Sequence, residues 1–148
     1  MYLDIEILNK PGYYTQEDFF KSGNIKQRVK TFNGQLHGKC ESFFTNGNKY
    51  AILYYNNGKL HNEDGPAYQE YYDNGKKSIE RYYINGNFHR ENGPSKIFWH
   101  KNGDEGYEYY YLNDINYNKI DWINKLKEIN SPYYEDQKML YDMEKYNL

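Results

Sequence analysis

Cysteine is almost missing from this chain: Cys40 stands alone among 148 residues. That excludes an intrachain disulfide and any multi-cysteine metal site. An excess of one charge is missing too. Nineteen Lys and Arg face 21 Asp and Glu, a formal net charge of −2, and so balanced a chain is not drawn to polyanions by its overall field. Long apolar runs are also lacking. Hydrophobic residues make 38% of the chain, mean hydropathy is −1.16, and no stretch approaches the roughly 18–20 apolar residues of a membrane span. The opening Met1-Tyr2-Leu3-Asp4-Ile5-Glu6-Ile7-Leu8 has acidic residues where a secretory signal needs a basic head. Its Leu3, Ile5 and Ile7 alternate with Asp4 and Glu6, the period of a half-buried strand over 2–8. The expectation is an intracellular protein.

So low an apolar share would suit disorder, were the chain not so aromatic. It holds 20 Tyr, 7 Phe and 2 Trp, 20% of its residues. Disordered segments are poor in such residues, because they lack the area to offset ordering entropy. Tyr supplies that area and keeps a polar tip. A single domain suits the length.

Turn dipeptides recur at Ser22-Gly23, Asn33-Gly34, Asn46-Gly47, Asn57-Gly58, Asn74-Gly75, Asn85-Gly86 and Asn102-Gly103, and Asn113-Asp114 continues the series. Steps of 11 residues alternate with steps of 13 or 17. Asn-Gly is the favoured two-residue hairpin loop, since both of its residues tolerate positive φ. A short step leaves room for one ordinary strand. The strands expected are 26–32, 39–45, 49–56, 67–73, 77–84, 95–101 and 105–112, and Pro11-Gly12 followed by 13–20 reads as a worn version of a long-step element. Strands joined by tight turns are antiparallel neighbours, so an all-β antiparallel meander of repeated hairpins is expected.

The long steps carry an added block, Leu60-His61-Asn62-Glu63-Asp64-Gly65-Pro66-Ala67 and Phe88-His89-Arg90-Glu91-Asn92-Gly93-Pro94-Ser95, with a degenerate copy at Leu36-His37-Gly38-Lys39. Proline cannot donate to a ladder, so these blocks read as wider structural loops around His61, Gly65 and Pro66 and around His89, Gly93 and Pro94. The pattern Asn-Gly-x-x-His-x-x-x-Gly-Pro-Ala/Ser, followed by paired Tyr and Asn-Gly, resembles the variant MORN (membrane occupation and recognition nexus) repeat of giant DNA viruses and some bacteria. The resemblance covers residues 11 to 118, with two full copies in 57–104. It implies a single-sheet hairpin array with an interaction role and no known reaction, in host cytoplasm or virion if the source is viral.

Aligned on the turns, Tyr54, Tyr82 and Tyr110 share one position and Tyr55, Tyr83 and Tyr111 the next. Phe19, Phe43, Tyr71 and Trp99 form another column, beside Phe20, Phe44, Tyr72 and His100. Neighbouring residues point to opposite faces, so each face should carry an aromatic ladder. Such ladders serve as core; where left exposed, they mark a partner surface. The candidate surface is Tyr54, Tyr55, Tyr71, Tyr72, Tyr82, Tyr83, Trp99, Tyr110 and Tyr111.

After Asn113 the period stops. Asn118 with Asp121 three residues on reads as a helix start, and Trp122, Leu126 and Ile129 with Ile120 and Ile123 form an apolar stripe. Ser131-Pro132 starts a second helix. Residues 118–148 therefore read as a helical cap on a repeat array spanning 1–117, since repeat stacks need ends that stop propagation. The strand at 2–8 offers an edge through which two copies could pair into a dimer.

Chemistry is harder to find. His37, His61 and His89 occupy equivalent positions two strands apart, about 9–10 Å, too far for ligands that each lie about 2.0–2.2 Å from one zinc ion. Each is expected to bond within its own loop, to neighbours such as Asp64 or Glu91. Glu63 and Asp64 recur as Glu91 and Asn92, so they follow the repeat and not an active site. No phosphate-binding glycine loop or nucleophile setting appears. The expectation is a non-enzymatic protein-interaction scaffold with no catalytic residue, metal or cofactor and an unidentified protein partner. Single-stranded nucleic acid and membrane surfaces are weaker alternatives. Lys76, Lys77, Arg81, Lys96 and Lys101 are interspersed with acids, and the loops are not basic.

Overall fold

The computed structural model describes residues 10–146. The expected strand at 2–8 and the dimer edge built on it lie outside those residues. The long strands are β1 (Tyr13–Phe19), β2 (Ile25–Phe32), β4 (Gly38–Phe43), β5 (Lys49–Asn56), β7 (Tyr68–Tyr71), β8 (Lys77–Arg81), β11 (Lys96–Trp99) and β12 (Glu105–Leu112). Short ones between them are β3 (Gln35–Leu36), β6 (Lys59–Leu60), β9 (Tyr83–Ile84), β10 (Asn87–Phe88) and β13 (Ile115–Tyr117). Two helices follow, α1 (Lys119–Glu128) and α2 (Tyr134–Tyr146). The main sheet runs β1-β2-β4-β5-β7-β8-β11-β12-β13, every pairing antiparallel. It is the hairpin meander that the turn spacing calls for.

The Asn-Gly turns are of two kinds, which corrects the single turn type expected. Asn33, Asn57, Asn85 and Asn113 have φ of 47–53° and are followed by Gly34, Gly58, Gly86 and Asp114, also at positive φ. These are two-residue loops, each leading into a short strand, β3, β6, β10 or β13. At Asn46, Asn74 and Asn102 only the following glycine is left-handed. There Gly47 N–H donates to Phe44 O at 2.9 Å and Phe44 N–H to Asn48 O at 2.8 Å, with a register shift after Ser42. That is a longer loop with a bulge, in which the asparagine supplies an acceptor instead of a left-handed backbone. Asn74 Oδ1 accepts from Lys76 N–H at 3.0 Å.

Both edges of the sheet are laced from unit to unit. On the bulged edge, Asn24 donates to Thr45 O (3.1 Å), Asn48 to Asp73 O (2.8 Å) and Asn74 to Lys101 O (3.1 Å). On the tight-turn edge, Gly58, Gly86 and Asp114 N–H donate to Leu36, Leu60 and Phe88 O at 2.8–2.9 Å.

Cα partners share a face. One face carries the row Glu41, Ile52, Gln69, Glu80, Ile97 and Glu108; the other carries Cys40, Leu53, Tyr68, Arg81, Lys96 and Tyr109. The helices lie on the first, where Trp122, Ile123 and Leu126, all at 0% exposure, close over Tyr110 and Leu112. Asn118 caps α1 by accepting Asp121 N–H at 2.9 Å. Burying such side chains contributes about 1.5–3 kcal/mol each, so this small cluster anchors the end of the array. On the opposite face Cys40 is fully buried, its Sγ accepting Lys30 N–H at 3.3 Å.

Candidate binding groove on the helix face

The two repeat loops are built alike. Asn62 donates its side-chain amide to Pro66 O at 3.2 Å; Arg90, its equivalent, donates to Pro94 O at 3.0 Å and to Asn92 Oδ1 at 2.9 Å. Gly93, at φ 144°, leaves room for that guanidinium, since a Cβ there would sit 3.2 Å from Arg90 Cζ. Each loop is then tied to the next unit, by Asn62 N–H to Tyr83 O (3.1 Å) and by Arg90 N–H to Tyr111 O (3.3 Å). Trp122 Nε1 donates to Arg90 O at 3.3 Å, fastening the helical cap to the second loop.

The histidines depart from expectation. His37, His61 and His89 each use Nδ1 to accept a backbone N–H from the next unit's turn, from Asn57 (3.4 Å), Asn85 (3.1 Å) and Asn113 (3.3 Å). An accepting Nδ1 leaves the hydrogen on Nε2. For His89 that nitrogen meets Glu91 Oε1 at 3.2 Å, and for His61 the nearby carboxylate is Glu63, at 3.6 Å, and not Asp64. The histidines are staples between units, and at His61 and His89 the second nitrogen faces a carboxylate of its own loop. Among the described residues no three His, Cys, Asp or Glu side chains form a group able to hold a metal ion.

Between the two loops the helix face sinks into an open groove of about 660 Å³. Its walls are Asn62–Pro66 on one side and His89–Asn92 on the other, and Tyr133, from the α1–α2 connection, closes one part. The floor is Gln69, Lys77, Glu80 and Tyr82. Glu80 is 5% exposed and accepts from Lys77 at 2.7 Å and Gln69 at 3.1 Å. The bonded Glu80 carboxylate holds the Lys77 ammonium above its ordinary value, against the opposing effect of burial. Arg90 stacks on Tyr82, with Cζ 3.8 Å from the ring centroid. Burial pushes the Tyr82 phenol up, opposed by Arg90 and helped by Glu80. The groove thus offers donors and acceptors of both signs on a floor whose charges are already matched.

The nine aromatics of the candidate surface are divided between the faces. Tyr54, Tyr71, Tyr82 and Tyr110 follow the helix-face alternation, and Tyr55, Tyr83 and Tyr111 the opposite one. Tyr110 is buried against Trp122 at 4.9 Å between rings, and the others are half-buried. Tyr72 Oη donates to Trp99 O at 2.8 Å. Phe88 links Tyr83 and Tyr111, at 4.2 and 5.0 Å, so this ladder joins units as core does. Of the nine, only Tyr82 lines the groove. Arg90, Gln69, Lys77, Glu80 and Tyr133 were not singled out as groove residues. One signal was available, the replacement of Asn62 by Arg90 at equivalent loop positions.

No family model, curated protein or solved structure matches this chain. The reading of its role rests on the groove itself. No helix among the described residues is long and apolar enough to cross a membrane.

Proposed function

We propose that this protein is a non-enzymatic interaction module of the variant MORN-repeat type, which holds an extended segment of a partner protein in the groove between its two repeat loops. The observation that carries the reading is the groove's construction. It is open and about 660 Å³ in volume, and its walls are braced at both ends by hydrogen bonds to neighbouring units and to the helical cap. A braced polar trough suits a ligand bound through many hydrogen bonds, because little ordering is left to be done on binding. Tyr133 adds a 41%-exposed aromatic at its edge, the residue type favoured at interfaces. The hairpin meander supports the assignment to this repeat type.

A random peptide library displayed on phage tests the proposal, selected on the intact protein and counter-selected on Tyr133→Ser and Glu91→Lys variants. Enrichment of a peptide class that both substitutions weaken supports it. Selection of no peptide sensitive to either, or binding of single-stranded nucleic acid in a low-salt gel shift, argues against it.

A further inference from the structure

We propose that the face opposite the helices binds a small aromatic oxyanion, its ring in the hollow beside Phe98, Tyr107 and Tyr109 and its oxyanion at the paired cations Lys96 and Arg81. This site is separate from the groove and does not depend on its function.

Arg81 and Lys96 are Cα partners on adjacent strands β8 and β11, so two cations stand side by side on one face. Elsewhere in the sheet buried charge is matched: Glu41 has Lys39 at 2.7 Å, and Glu80 has Lys77 at 2.7 Å. For this pair no carboxylate partner lies within ion-pair distance among the described residues, and Arg81 Nε is buried with no hydrogen-bond acceptor. The carboxylate in the next row, Glu70, is engaged by Tyr68 Oη at 2.6 Å. Burial, with Arg81 beside it, pulls the Lys96 ammonium below its ordinary value. Two half-buried like charges repel, and an anion between them removes that cost.

The cations are seated on ring faces. Lys96 Nζ lies 4.8 Å from the Phe98 centroid and 5.4 Å from Tyr109, and Arg81 Cζ lies 4.7 Å from Tyr68. Phe98 and Tyr109 also line a hollow of about 300 Å³ together with Tyr72, Tyr107 and His100. Tyr107 is 70% exposed and Tyr109 38%, so the hollow opens to solvent. Its volume is at the lower end of small-ligand sites, about 300 Å³ upward, enough for one ring. An aromatic hollow with the Lys96 ammonium over two of its lining rings, and Arg81 beside Lys96 on the next strand, selects a ligand that pairs a ring with a negative group.

Phenyl phosphate titrated into the 15N-labelled full chain tests this, with inorganic phosphate and phenol as half-ligands. Expected are saturable shifts at the amides of Lys96, Phe98, Tyr107 and Tyr109, tighter for phenyl phosphate than for either half. Lys96→Gln should weaken binding about tenfold, as loss of a charge-assisted bond does, Lys96→Arg should restore it, and Lys125→Gln on the helical cap, where the lysine pairs with exposed Glu128, should leave it unchanged. The amide spectrum of each variant confirms that it is folded. The proposal fails if no saturable shift appears on this face, if phenol or phosphate alone binds as well as phenyl phosphate, or if Lys96→Gln is without effect.

Discussion

His61 Nδ1 accepts the backbone N–H of Asn85, 24 residues further along the chain, at 3.1 Å. A side chain in one loop therefore satisfies the left-handed turn of the next unit. In its neighbour Gly86 the N–H goes to Leu60 O at 2.8 Å. Both donors of the tight turn are met by the preceding unit, so a turn and the loop before it stabilise one another.

Replacing that imidazole should therefore act between units. His61→Ala and His89→Ala should each cost about 1 kcal/mol, the usual net worth of such a hydrogen bond. Urea unfolding would measure it. Because the two sites serve different turns, their effects should add in the double variant. An unchanged midpoint for both would remove the staple.

The two turn types make opposite demands on asparagine. Asn85→Ala places a Cβ-bearing residue with no local side-chain acceptor at φ 53°, at a cost of about 1–2 kcal/mol, and Asn85→Gly should be nearly neutral. At Asn74 the order reverses in kind. Its side chain bonds Lys76 N–H and Lys101 O, so Asn74→Gly should destabilise while Asn74→Asp keeps the acceptor. Thermal melts of the four variants discriminate, and identical responses at the two positions would contradict the assignment.

Trp122 has no exposed surface and ties the cap to the second loop. Trp122→Ala should cost about 3–5 kcal/mol, as large aromatic truncations do. In a stack stabilised by nearest neighbours the loss should be local. Hydrogen exchange should quicken at Tyr110 and Leu112 and change little in β4 and β5. Equal loss of protection along the whole sheet would mean that the units do not behave as separable neighbours.

Acid should weaken the sheet through Glu41. Burial works to raise this carboxyl, but Lys39 and Lys49 overrule it and hold it below its ordinary value. A group whose folded value is depressed stabilises the fold above its unfolded value and stops doing so as pH falls through the folded one. The stability difference between the wild type and Glu41→Gln should hold at neutral pH. It should shrink once pH drops below about 4.3, the ordinary value for glutamate. Urea midpoints at a series of pH values test it, and a gap that widens on acidification would reverse the sign.

Much of this architecture was legible because turn chemistry and hydrophobic alternation are local. β5 and β12 coincide with the expected 49–56 and 105–112, and Asn118 caps α1 as its spacing to Asp121 suggested. The division of the Asn-Gly pairs into two turn types was not legible, since the dipeptide is the same and the register shift across the strands decides. The groove escaped for a related reason. Lys77, Glu80, Arg90 and Tyr133 come from four separate segments and meet only when the loops stand over the sheet.

Sequence by itself determined where the chain turns, which segments are strands, and that a helical cap ends the array, because each depends on backbone preference within a few residues. Tertiary structure alone decided that the histidines bridge units, that Arg81 and Lys96 stand together without a counter-charge, and that a trough opens between Asn62–Pro66 and His89–Asn92. Those features depend on the lateral pairing of strands far apart in the chain, and pairing places side chains by register, which no single segment carries.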